Sequence, residues 1–189
     1  MVLPVNDARR QVLKAAEELI YARGIRAVGM DDVREHSGVA LKRLYALFPG
    51  GKDAMVKAVL DRRDAQWRQD LIAFVERVTD PHERLLAVFD WLAEWFAQPG
   101  FRGCAWINAF GEAGGTSQAV AAQVREHKRR FADQLSKWVA DAEYAPELAE
   151  QLFLLAEGAT VTAGIRGSAQ PARTAHHAAT VLLATAHRR

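Results

Sequence analysis

The sequence predicts an all-α chain of nine helices. Apolar residues recur at three- and four-residue spacing over long stretches, with no strand-like alternation. Ala, Leu, Glu, Arg and Gln, all good helix formers, are plentiful. Pro is scarce, at 6 in 189 residues, and several of these fall where one periodic segment gives way to the next. Half of the residues are hydrophobic, which supports a sizeable core and argues against disorder.

The first helix is expected from about Asn6 to Arg23. Val12, Leu13, Ala16, Leu19 and Ile20 form its apolar stripe. Asn6 or Asp7 is the expected cap, and Gly24 the stop. Two short helices follow, from about Asp31 to Ser37 and from about Leu41 to Leu47, separated by Gly38. The run Pro49-Gly50-Gly51 is a turn, and a long helix then runs from Lys52 to about Val78. Asp80-Pro81 opens a fifth helix rich in Leu, Phe and Trp, ending near Pro99-Gly100. The sixth spans Cys104 to about Glu112 and stops at Gly114-Gly115, and the seventh spans about Ser117 to Ala142. Pro146 opens the eighth, to about Gly167, and Pro171 the ninth, to about His187. The loops are short, as between antiparallel neighbours.

Composition also bounds the function. Net charge is only +2, but residues 1–60 hold ten Lys/Arg against seven Asp/Glu, and the remainder fifteen against sixteen. The basic bias of the N-terminal part is mild and favours nucleic acid only weakly. The one cysteine, Cys104, excludes an intrachain disulfide or a four-cysteine zinc site and is read as a small buried hydrophobe. Met1 to Arg10 lacks the apolar run of a signal peptide, and no stretch reaches the roughly 18 apolar residues of a membrane span. A soluble, cytoplasmic protein is expected. His176-His177 point about 100° apart on a helix, so they do not share a metal ion. No phosphate loop, nucleophile elbow or metal-ligand pair at helical spacing is present, so neither enzyme activity nor a cofactor is expected.

The informative segment is Asp31 to Phe48, which has the outline of a helix-turn-helix. Val33 faces inward, Gly38 reverses the chain, Val39 plugs the corner, and Leu44 and Phe48 close the core below the second short helix. The remaining face presents Leu41, Lys42, Arg43 and Tyr45. A basic pair beside a tyrosine suits a DNA groove. An ordinary helical hairpin with a solvated basic face is the competing reading.

The stretch from Arg10 to Leu60 resembles the N-terminal domain of the TetR (tetracycline-repressor) family of bacterial transcription regulators. The residues that carry the likeness are Val12 to Leu19, Gly24, Val33, Gly38-Val39, Leu44-Tyr45, Phe48 and Lys52. The resemblance implies a three-helix DNA-binding domain over 1–51 and a helical ligand-binding and dimerisation domain over 52–189. It implies that Leu41–Leu47 is the recognition helix, that Lys42 and Arg43 meet bases or phosphates, and that Tyr45 meets the phosphate backbone. Lys52 opens the next helix, where the positive end of the dipole also favours phosphate. The segment departs from the family pattern at several places. Ala40 stands where a capping serine is common, Gly29 replaces a capping threonine, and Arg34 and Ser37 replace alanines. Asp31 or a neighbour is expected to cap in place of the threonine.

Residues 80–189 resemble the family in architecture, with a short Gly-Cys…Asn likeness at Arg102 to Ala109. The resemblance places a small-molecule effector among the fifth to eighth helices. Trp91, Trp95, Trp106, Asn108, Phe110, Phe131 and Glu157 are the expected lining for a largely apolar ligand, with Glu112 and Thr160 as further polar groups. Plain core packing is the alternative for each aromatic. The small residues from Gly158 to Gly164 and from Ala175 to Ala184 imply a homodimer built on the last two helices. Taken together, the resemblance implies a repressor of a near-palindromic operator in double-stranded DNA, released by its ligand.

Overall fold

A computed structural model describes residues 4–188. It holds nine helices among these residues: α1 (Val5–Arg23), α2 (Met30–Ser37), α3 (Leu41–Leu47), α4 (Gly51–Val75), α5 (Pro81–Phe96), α6 (Ala105–Ala113), α7 (Gln118–Asp141), α8 (Glu147–Arg166) and α9 (Gln170–Thr185). The expected helices are all present, and α3 has the expected bounds. The caps differ from expectation in one place. Neither Asn6 nor Asp7 caps α1: Pro4 holds the N-cap position, and Asp7 instead pairs with Arg10 at 2.9 Å. Proline serves there because its missing N–H belongs to a turn whose N–H groups lack helical partners.

The chain divides into two compact units. The first comprises residues 4–65 with Ala105–Glu126, hence α1 to α3, the start of α4, α6 and the start of α7. Its core gathers Val12, Leu13, Ala16 and Leu19 of α1, Val28, Val33 of α2, Val39, Leu44 of α3, Phe48, and Met55 and Val59 of α4. Leu44 and Val33 are fully buried, and Phe48 nearly so. Polar groups brace this core from outside. Arg63 pairs with Glu17 at 3.0 Å and lies over the Tyr21 ring, tying α4 to α1. Arg9 lies over the Phe48 ring, 4.7 Å from its centroid, and donates to the Leu47 carbonyl.

The second unit comprises Gln66–Cys104 and residues 127–188. Its centre is α5, whose Leu85, Leu86, Val88, Phe89, Leu92 and Phe96 are all buried. α9 lies against both α5 and α8, with Ala172, Ala175, Ala179 and Leu183 turned inward. Gly103 and Gly164 bring the segment before α6 against α8 backbone to backbone; a Cβ on Gly164 would stand 2.7 Å from the Gly103 Cα. Tyr144, buried between α7 and α8, shares a 2.6 Å hydrogen bond with His82 Nδ1 at the head of α5.

The start of α5 is expected to lend the fold a pH dependence. The Asp80 carboxylate accepts from the backbone N–H groups of His82 at 2.8 Å and Glu83 at 3.0 Å, capping the helix. The Glu83 N–H bond lowers the Asp80 pKa most. Desolvation opposes it next, and the His82 N–H and then the charges of His82 and Arg188 reinforce it. A carboxyl whose pKa is lower folded than unfolded stabilises the fold above its unfolded value, and that support fades as pH falls through the folded value. Asp80→Ala should therefore lower Tm at neutral pH, and the deficit should shrink below about pH 4, the ordinary Asp range. A deficit independent of pH in melting curves would remove the carboxylate as the cause.

Candidate nucleic-acid interface and effector region

The helix-turn-helix is built by α2, the Gly38 turn and α3. Gly38 takes φ +66, the left-handed conformation expected of it, and its N–H closes α2 on the Arg34 carbonyl at 2.9 Å. Two of the departures from the family pattern have a local reason. Ser37 is buried; its hydroxyl accepts from the Val39 N–H at 3.3 Å, and its carbonyl accepts from Gln11 Nε2 at 2.7 Å. At Gly29, Asp32 takes over the capping task, its carboxylate accepting from the Gly29 N–H at 2.7 Å. The α3 start has no such substitute: Ala40 offers only its carbonyl, to the N–H groups of Arg43 and Leu44.

The outer face of α3 presents Lys42, Tyr45 and Ala46 as exposed, with Arg43 half-buried. Tyr45 is 48% exposed, an unusual setting for a large aromatic in a unit with so complete a core. Leu41 is only partly on this face, because it also packs against the core of the unit. Lys52 is half-buried in the first turn of α4. Gly51 opens α4 at φ +64 and donates to the Phe48 carbonyl at 2.8 Å.

The residues expected to line an effector site divide between the units. Trp91, Trp95 and Phe131 meet around Trp67, with ring centroids 5.2, 5.9 and 5.1 Å from it, mostly edge to face. Trp91 and Trp95 stack on each other at 5.5 Å. His127, 2% exposed, lies 5.1 Å from Trp67 and joins the same cluster. It was missed in the sequence, although it sits three residues after Val124 and four before Phe131 on the buried stripe of α7. Glu157 is nearby in the fold of this unit: it receives Lys128 Nζ at 2.6 and 2.8 Å, and Lys128 also donates to the Cys104 sulfur at 3.4 Å. The remaining three residues, Trp106, Asn108 and Phe110, lie on α6 in the first unit. Trp106 is buried, whereas Asn108 and Phe110 are exposed. Glu112 is engaged elsewhere, by Arg26.

On α8 and α9, Leu154, Val161, Ile165 and Val181 remain exposed, Ile165 at 81%. The first three share one helical face, at spacings of seven and four residues. A groove beside them is lined by Leu154, Gly158, Thr162, Arg166, Pro171 and Thr174. No helix among the described residues is long and apolar enough to cross a membrane.

Comparison with known proteins agrees with this layout. Residues 12–59 match the family described as bacterial regulatory proteins, tetR family, and residues 81–179 match the tetracyclin repressor-like C-terminal domain. Among curated proteins, the chain is 30% identical over 82 residues to the HTH-type transcriptional regulator LmrA of Bacillus subtilis, covering 43% of this chain and 44% of LmrA. It is 33% identical over 88 residues to the HTH-type transcriptional activator FasR of Mycolicibacterium smegmatis, covering 47% of this chain and 40% of FasR. The matches thus span less than half the length of these two relatives. Among solved structures, a TetR-family transcriptional regulator from Streptomyces coelicolor superposes with a TM-score of 0.87 at 27% identity, over 94% of this chain and 88% of that one. The reduced form of E. coli NemR shares the fold, with a TM-score of 0.82 at 23% identity over 97% of this chain and 100% of that one. Matched at both its helix-turn-helix and its C-terminal helices, the chain belongs to the TetR family of bacterial regulatory proteins.

Proposed function

We propose that the protein is a homodimeric, DNA-binding transcriptional repressor that leaves its operator when a small, largely apolar ligand binds. The observation that carries this reading is the outer face of α3. Lys42, Arg43 and Tyr45 stand on a seven-residue helix whose opposite side is anchored by the fully buried Leu44. A short rigid rod with cationic and aromatic groups outward fits a major groove. Lys52, at the first turn of α4, adds a phosphate contact at the positive end of a helix dipole.

Dimerisation through α8 and α9 is supported by the exposed Leu154, Val161, Ile165 and Val181. An apolar strip of this kind on a monomer is a common sign of a partner surface. In a symmetric dimer the two α3 helices would face half-sites about 34–36 Å apart, or a multiple, and prefer a near-palindromic sequence. The effector site is assigned to the region of the Trp67, Trp91, Trp95 and Phe131 cluster, with Glu157 and Lys128 as its polar groups. Ligand would act by a population shift, changing the tilt of α4, which leads directly from the helix-turn-helix.

Selection of bound fragments from a random DNA pool tests the reading. Wild type should enrich a near-palindrome. Ile165→Asp, which places a charge on the strip, should sediment as a monomer at micromolar concentration and lose most affinity for the enriched site. A pool without enrichment counts against the DNA-binding reading, and a dimeric Ile165→Asp with full affinity counts against the α8–α9 interface.

A further inference from the structure

α6 belongs to the same compact unit as the helix-turn-helix, although it lies far from it in sequence. Glu112, near its C-terminal end, holds the turn between α1 and α2 from two directions. Its carboxylate accepts from the Arg26 backbone N–H at 2.9 Å, and its backbone carbonyl accepts from Arg26 Nε at 2.9 Å. The turn is shaped to admit this carboxylate. A Cβ on Gly24, which has φ +88, would stand 2.7 Å from one Glu112 oxygen and 2.8 Å from the other. The carboxylate thus occupies the space a side chain would need.

The turn in turn sets the helices that follow it. Val28 is buried in the same cluster as Val33, Val39 and Leu44. Arg23 reaches across the turn to Asp32 of α2 at 3.5 Å, and the Gly29 N–H is held by the same Asp32. α6 itself is only nine residues long and is bounded by Gly103 on one side and Gly114-Gly115 on the other. Trp106 and Ala109 bury one face of α6, and the contacts at Glu112 add a polar hold at its C-terminal end.

We propose that Glu112 is a positioning residue for DNA recognition: its double hold on Arg26 makes α6 a working part of the DNA-binding head, so that the order of the α1–α2 turn and the set of α3 depend on α6. The inference rests on the regulator reading above. Coupling of this kind is reciprocal: if α6 orders the head for DNA, then DNA must order α6 to the same extent.

Amide hydrogen exchange tests it, on wild type, Glu112→Ala and Glu112→Gln, with and without the DNA enriched from the random pool. In the free protein, Glu112→Ala should speed exchange over residues 24–29 by roughly ten-fold, the scale of a lost charge-assisted hydrogen bond. Glu112→Gln keeps an acceptor for the Arg26 N–H and should fall between. On DNA, wild type should gain protection over residues 105–113. Glu112→Ala should bind about ten-fold more weakly, still protect α3, and gain nothing over α6. Wild-type exchange in the turn of Glu112→Ala, or unchanged affinity with α6 still protected by DNA, overturns the proposal. Should Glu112→Ala fail to fold, Arg26→Ala removes the guanidinium bond alone, and the same exchange pattern is required of it in milder form. Failure of the regulator reading is a separate result: wild type then enriches no DNA, and turn exchange in the free protein still decides the hold.

Discussion

Phe48→Ala should destabilise the chain by about 3–5 kcal/mol, the range for removing a buried aromatic from a close-packed core. Phe48 is 2% exposed and closes the floor of the first unit together with Leu44 and Met55. It also carries Arg9 on its ring face, so the alanine removes a cation–π contact as well as apolar area. With total stabilities of about 5–15 kcal/mol being usual, this is a large share. Urea unfolding read by circular dichroism measures it. A shift below about 1 kcal/mol would mean that the space collapses around the alanine and that Phe48 contributes little. Phe48→Leu, which keeps most of the volume, should cost under half as much.

Arg43→Ala should weaken operator binding by about 1–3 kcal/mol, which is roughly 5- to 150-fold, if the side chain reads a base. Melting curves taken alongside show whether the fold is intact. Lys42→Ala should behave differently if Lys42 meets a phosphate. It should weaken binding to all sequences about equally and reduce the slope of log affinity against log salt by about 1. The pair therefore separates sequence reading from backbone attraction. Equal losses for specific and non-specific DNA from Arg43→Ala would move Arg43 to the phosphate class, and an unchanged affinity would remove it from the contact surface. Wild-type binding that ignores salt would count against a phosphate-based interface altogether.

Much of the fold was legible because helical periodicity and breakers speak at the same positions. Val12, Leu13, Ala16 and Leu19 gave α1 its stripe, and all four face the core. Gly38 marked the turn, and its left-handed backbone is what the helix-turn-helix requires there. The face of α3 was legible for the same reason: burying Leu44 leaves Lys42 and Tyr45 outward on a helix of seven residues. The α1 cap was misread because side-chain preference says only that Asn6 or Asp7 is able to cap, and Pro4 begins the helix before either is reached. Asp32 was open to reading as the substitute cap at Gly29, since an acid at the third helical position can reach back to the N-cap N–H.

The effector region was less legible. An aromatic stripe predicts burial, and Trp91, Trp95 and Phe131 are buried, but periodicity does not say which rings converge. Trp67 as the hub, and His127 within it, follow from how α4, α5 and α7 meet in space. The partners of Glu112 and Glu157 were hidden for a related reason. Arg26 is 86 residues from Glu112 and Lys128 is 29 from Glu157, and long-range polar contacts leave no periodic trace.

The crossing of Gly103 and Gly164 sets how closely the main chain passes α8. Where two main chains touch without side chains between them, neither can be squeezed closer and nothing yields by rotating about χ. The segment before α6 therefore cannot sink further toward α8. A methyl on Gly164 would pry the two apart, whereas one on Gly103 would meet the Gly164 Cα at 3.4 Å and be opposed instead by its own φ of +83.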